Sequence, residues 1–271
     1  MLFFDSCGNG IADKEDPCYN KPMKKYYSPV KEYDTYKRPH LFFKCLRAIV
    51  GLFFPPNEFV WKTEKPSEGE PVFFVCNHTK IYAPTYFIVN KERRARVWAN
   101  YYFLYYKVFW NHMAKKVIKD RKPKFLLYPL AFLLMPIIIL TFRAFEPIPV
   151  FHKDERVETM TFKKSVETMK AGVPQIIFPE RTENKVNRYI FQFNHGFPKV
   201  AERYYQETGK ILRFFPVYCA EKLRTFVVGD PIAYDPTVPM DTQADEICRY
   251  LENKICELGD SLPEHEPVIY G

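Results

Sequence analysis

Between Lys124 and Arg143 the chain reads FLLYPLAFLLMPIIILTF, 18 residues from Phe125 to Phe142 without a charge. A helix of that length just reaches across hydrocarbon. The run lies mid-chain, between two halves that read as one α/β domain, so a single crossing would put those halves on opposite sides of a membrane. Pro129 and Pro136 would kink a straight helix. The favoured expectation is a shallow, re-entrant or interfacial hairpin, flanked by Lys122, Lys124 and Arg143. A true span and a buried core helix are the alternatives.

Composition bears on what such a segment would meet. Aromatic residues make up 17% of the chain, and 40 Lys and Arg stand against 32 Asp and Glu, a net charge of +8. This suits an interface that is apolar in one layer and anionic in the next, as a lipid surface is. Nucleic acid is not expected, because no basic cluster interleaves with aromatics in a recognisable module. In RPHLFFKCLRAIVGLFFPP, Leu41, Phe42, Cys45, Leu46, Ile49 and Val50 recur at helical spacing beside Lys44 and Arg47. That is a basic amphipathic helix, either a membrane-surface anchor or an ordinary helix on the core. The seven cysteines show no Cys-x-x-Cys pair and read as reduced thiols rather than a disulfide framework or metal site. The start lacks a basic region followed by an extended apolar one, so no signal peptide is expected.

The remainder alternates strands and helices. Val72–Cys76 is continuously apolar and reads as a strand covered on both faces. A helix over 162–171 ends at Gly172, and a strand over 175–178 follows. In GFPKVAERYYQETGK, Val200, Ala201, Tyr204 and Tyr205 share a helix face and Gly209 ends it. ILRFFPVYCA and RTFVVGDPIAY are β-rich segments separated by Glu-Lys-Leu. The last helix, with Asp241 or Thr242 as N-cap, carries the stripe Ile247, Leu251, Ile255, Leu258 and is expected to stop at Gly259. These elements predict an α/β fold with a mixed, largely parallel central sheet flanked by helices. Residues 1–60 form an extension with the amphipathic, membrane-associating segment, and 61–271 the α/β domain, including 125–142.

The strand Val72–Cys76 runs directly into Asn77, His78, Thr79 and Lys80. Ligands of open α/β sheets bind beyond the carboxyl ends of the strands, so an imidazole there is either a functional group or a histidine that closes the strand.

Four blocks in order resemble the glycerolipid acyltransferase superfamily, the lysophosphatidic acid and glycerol-3-phosphate acyltransferases, over roughly Pro66 to Tyr234. The first, Asn-His-x-x-x-x-Asp in that family, stands here as Asn77-His78-Thr79-Lys80-Ile81-Tyr82-Ala83. The second is a short strand leading to a basic residue, here EPIPVFHKD with Lys153 or, second to it, His152. The third, Phe-Pro-Glu-Gly-x-Arg, is matched by Phe178, Pro179 and Glu180. The fourth, a Val-Pro-Val-like apolar block, is matched around Pro216 and Val217. Two positions depart: Ala83 stands where the family has its aspartate, and Arg181 where it has glycine.

The resemblance implies transfer of a fatty acyl group from a thioester, acyl-CoA or acyl carrier protein, to a lysophospholipid or glycerol-phosphate hydroxyl. No other cofactor and no metal are implied. His78 would take the hydroxyl proton, since a neutral imidazole suits a general base. Glu180 is the second catalytic candidate. Arg181, Lys153 and Lys80 would hold the acceptor phosphate, Arg through its planar fork. The family's aspartate would orient the imidazole; losing such a carboxylate in a hydrolase triad costs about 10⁴-fold. A weakened homologue that binds lipid or acyl donor is therefore the alternative, and on either reading the protein sits peripherally or monotopically on the cytoplasmic face of a membrane.

Overall fold

Five consecutive apolar residues in β2 (Val72–Cys76) leave neither face for water, and in the computed structural model of the chain all five are fully buried. The structure describes residues 57–67, 69–80, 82–89, 95–104, 106–118, 123–144, 146–151 and 157–269, with isolated positions between 45 and 52. β2 lies between β8 (Arg213–Ala220) and β5 (Gln175–Ile177), parallel to both. Beyond β5 follow β3 (Arg96–Asn100) and β4 (Ile148–Val150), again parallel. On the other side β9 (Thr225–Val228) pairs antiparallel with β8, and β1 (Glu58–Trp61) parallel with β9. The order is β1-β9-β8-β2-β5-β3-β4, with β10 (Ile232–Ala233) also on β8. The architecture is thus α/β with a mostly parallel mixed sheet. β6 (Glu180–Lys185) and β7 (Phe191–Phe193) form a separate antiparallel hairpin off the end of β5.

Alternation along β2 divides the core. Phe73 and Val75 face one layer, shared with α4 (Lys163–Lys170), α5 (Lys199–Thr208) and α6 (Met240–Asp260). Val72, Phe74 and Cys76 face the other, shared with α1 (Tyr82–Val89). The expected stripes hold: Val200, Ala201 and Tyr204 of α5 and Ile247, Leu251, Ile255 and Leu258 of α6 are buried. Gly172 and Gly209 take left-handed backbone at φ +70 and +67, and Gly172 also needs its missing Cβ, which would lie 3.0 Å from the carbonyl oxygen of Gly69. Gly259 does not end α6, which runs on to Asp260; a Cβ there would meet the Tyr189 ring at 2.8 Å, so the glycine admits the ring. Nor does Asp241 or Thr242 cap α6: it starts at Met240 after Pro239, without a side-chain cap.

The apolar run is one continuous helix, α3 (Lys124–Ala144), passing through both prolines, which face outward. It pairs with α2 (Tyr106–His112) and the π-helical turn Met113–Ile118 as a helical hairpin between β3 and β4. Phe103 stacks on Phe142 at 4.7 Å and Trp110 meets Phe132 edge-on at 5.9 Å, so α2 leaves the sheet and α3 returns to it. Only Met135 and Ile139 of the run are buried, against Phe103, Phe109 and Met113. Most of the rest is exposed, with Phe125 at 82% and Leu133 at 70%, while Ala131, Ile138 and Phe142 pack partly buried against the same cluster. A buried core helix is thereby ruled out. Among the described residues this is the one helix long and apolar enough to cross a membrane, by length and composition. Of the segment over 41–50, only Cys45, Ala48 and Ile49 are described, helical and exposed; its amphipathic pattern as a whole lies outside the described residues.

Candidate functional site

The register of β2 on β5, Val75 opposite Ile177, puts the residues just past each strand at one level. His78 and Glu180 therefore meet at the carboxyl edge of the sheet. Their contact is not carboxylate to ring. Glu180 Oε1 accepts the backbone N–H of His78, and Oε2 accepts that of Phe191 at 2.7 Å. One carboxyl group thus ties the end of β2 to the β6–β7 hairpin. On the other flank Asn77 spans to β8: Oδ1 accepts the Cys219 N–H at 2.6 Å and Nδ2 donates to the Cys219 carbonyl at 3.2 Å. Thr79 Oγ1 accepts the Ala83 N–H at 3.0 Å, satisfying a donor in the first turn of α1. His78 is held by its neighbours on both sides while its half-buried ring lies edge-on to Phe178, centroids 5.3 Å apart.

Burial dominates the electrostatics. It pushes the His78 imidazole down to about 3, so the ring is neutral through the physiological range. It pushes the Glu180 carboxyl up to about 8, against the two amide bonds that favour the charged form. These shifts have opposite consequences for stability. Unfolded, the Glu180 carboxyl ionises near 4.5, whereas folded it keeps its proton to about 8. The folded chain then binds the extra proton, so stability falls as pH rises through that window, by up to about 1.4 kcal/mol per pH unit. Unfolded, His78 takes a proton below 6.5 and folded only near 3, so stability falls as pH drops through that window. The two offset between 4.5 and 6.5, and Glu180 alone acts from 6.5 to 8. Urea melts of Glu180→Gln should lose that alkaline decline; a variant running parallel to wild type from pH 6 to 8 would show an ordinary carboxyl instead.

Ala83 is fully buried beside Val72, Phe74, Cys76 and Phe87, in the layer between α1 and the sheet. The sequence suggests that an aspartate here would orient His78. The packing argues otherwise, since a carboxylate at this position would sit in an apolar layer. Ala83→Asp should lower Tm by roughly 5–10 °C. An unchanged Tm would instead show the carboxylate finding a polar partner.

The basic candidates fall into separate places. Arg181 is exposed on β6, on the side of α6, where its charge bears on Cys248. Lys80 is exposed on the side of α1, where its charge bears on Glu221. Lys153 and His152 lie outside the described residues. Among the described residues no group of three or more His, Cys, Asp or Glu could hold a metal ion, and the five cysteines are free. Sequence reasoning missed Asn77 as a clamp, because its partner lies 142 residues away. It also missed Glu252 of α6, which accepts the Phe193 N–H at 2.6 Å and secures the far strand of the hairpin. No protein-family model matches this chain, and no curated protein matches it in sequence.

Proposed function

We propose that the protein is a membrane-surface O-acyltransferase, moving a fatty acyl group from an acyl thioester to the hydroxyl of a lysophospholipid or glycerol-phosphate acceptor. The observation that carries this reading is the meeting of the Asn77–His78 and Phe178–Pro179–Glu180 segments at one sheet edge, the edge from which the exposed apolar hairpin departs. As the acceptor oxygen attacks the thioester carbonyl, His78 takes the hydroxyl proton. The new C–O bond forms, the C–S bond breaks, and the proton passes to the leaving thiolate. Glu180 and Asn77 act by position, fixing the backbone on either side of the ring.

A neutral imidazole is available at every working pH, but one held down to about 3 is a weak base, so slow turnover is expected. The buried Ala83 favours a second reading on the same site, in which the chain binds the acyl donor or lipid without efficient turnover. Incubating the purified full chain in vesicles with a labelled acyl thioester and lysophosphatidic acid tests the two together. Labelled diacyl product with stoichiometric thiol release supports the first reading; saturable donor binding without product supports the second. Neither binding nor product would overturn both.

A further inference from the structure

Two of the three non-glycine residues with positive φ among the described residues lie at one corner of the His78 edge: Lys80 and Arg224, each at φ 52. Left-handed backbone is uncommon for long side chains and clusters at functional sites, where surrounding structure enforces it. Lys80 follows His78 by two residues. Arg224 closes the short turn Glu221–Leu223 after β8, the strand that Asn77 clamps, and its carbonyl receives the Glu58 N–H at 2.9 Å as β1 begins. Lys222 lies in the same turn. All three basic side chains are exposed, and among the described residues none forms an ion pair with a carboxylate. Glu221 sits beside Lys80 and Lys222, with its carboxyl raised above the usual range by burial. Next to Glu58, the Tyr82 hydroxyl donates to Asn57 Oδ1 at 2.7 Å, tying the first turn of α1 to the start of β1.

This corner lies on the β8 side of His78, and Glu180–Arg181 on the β5 side. A transfer between two phosphate-bearing molecules needs two places for anions, one for each. We propose that Lys80, Lys222 and Arg224 form a subsite for the phosphorylated nucleotide end of the acyl donor, distinct from the acceptor's place beside Arg181. The assignment rests on the acyltransferase reading for what the subsite serves. Its chemistry, three exposed cations for a phosphate ester, stands on the corner alone.

The test uses the soluble nucleotide 3′-phosphoadenosine 5′-diphosphate, which carries the donor's phosphates without its acyl chain, and titrates it into the full chain by calorimetry. Binding is expected, weakened about tenfold or more in Lys222→Gln/Arg224→Gln, since a charge-assisted hydrogen bond contributes on the order of one such factor. In acyl-transfer assays the same variant should raise KM for the donor and leave KM for the acceptor within twofold. A Lys222→Arg change should restore most of the binding lost in Lys222→Gln. No nucleotide binding, or binding indifferent to these substitutions, overturns the proposal. So does a variant that keeps nucleotide affinity but floats less well with phosphatidylglycerol vesicles, which would assign the corner to lipid headgroups. Nucleotide binding that depends on the corner in a protein without acyl transfer would leave the subsite standing while the enzymatic reading fails.

Discussion

Replacing His78 by Ala should abolish acyl transfer while leaving the fold in place. The contact that joins β2 to the β6–β7 hairpin uses the His78 backbone N–H, which the variant keeps, and Asn77 and Thr79 hold their partners independently of the ring. The variant removes the imidazole, including its edge contact with Phe178. General-base catalysis contributes about 10²–10⁴-fold, so a loss of at least two orders of magnitude is expected, with Tm within a few degrees of wild type. The pH profile separates this role from a structural one. A histidine at its ordinary value would give an acid limb near 6.5. His78, neutral down to about 3, should give none above the pH at which the fold itself fails. Transfer that survives His78→Ala, or an acid limb near 6.5 in wild type, would remove His78 from the base role.

Local pattern carried much of the fold. β2 was legible because five apolar residues in a row have no other place to go, and α5 and α6 because their stripes repeat at helical spacing. Left-handed Gly172 and Gly209 end α4 and α5 as their positions suggest. What sequence could not carry was partnership across the sheet. Glu180 reads as a catalytic carboxylate because it follows Phe-Pro, yet both its oxygens are taken by backbone amides of residues 102 and 11 positions away. Polar Glu180–Lys185 is a strand that no apolar alternation announces, because exposed β6 pairs with β7 and needs no apolar face of its own. Gly259 reads as a stop signal and is a seat for an aromatic ring, a distinction only the tertiary position of Tyr189 can make. The prolines of α3 lie within one continuous helix and face outward, where an interrupted ladder crowds no neighbouring element.

The largest effect on location should come from α3. Leu130, Leu133, Ile137 and Leu140 are 47–70% exposed, on the face away from Met135 and Ile139, which bind the helix to α2. A helix apolar on every side and uncovered is stable in water only at the cost of exposing that surface. Changing these four to Ser leaves the internal contacts of the hairpin intact and removes four aliphatic side chains from contact with lipid. At even about 1 kcal/mol each, below the usual value for a fully buried aliphatic side chain, the partition coefficient should fall about 10³-fold. Ile138, though in the same run, packs inside the hairpin and is the wrong position for this test. Topology limits how the helix can insert. β3 and β4 belong to one sheet, so the chain that leaves after Asn100 and re-enters at Ile148 starts from and returns to the same body of the protein. A hairpin anchored this way, once inserted, would have to enter and return from one side of a bilayer. Flotation with mixed phosphatidylcholine and phosphatidylglycerol vesicles should show wild type bound at both 0.1 and 1 M salt, roughly a tenfold change in ionic strength that screens charge and leaves apolar insertion intact. The four-serine variant should remain with the soluble fraction at high salt. Wild-type release at high salt would mean that the basic surface, rather than α3, makes the attachment.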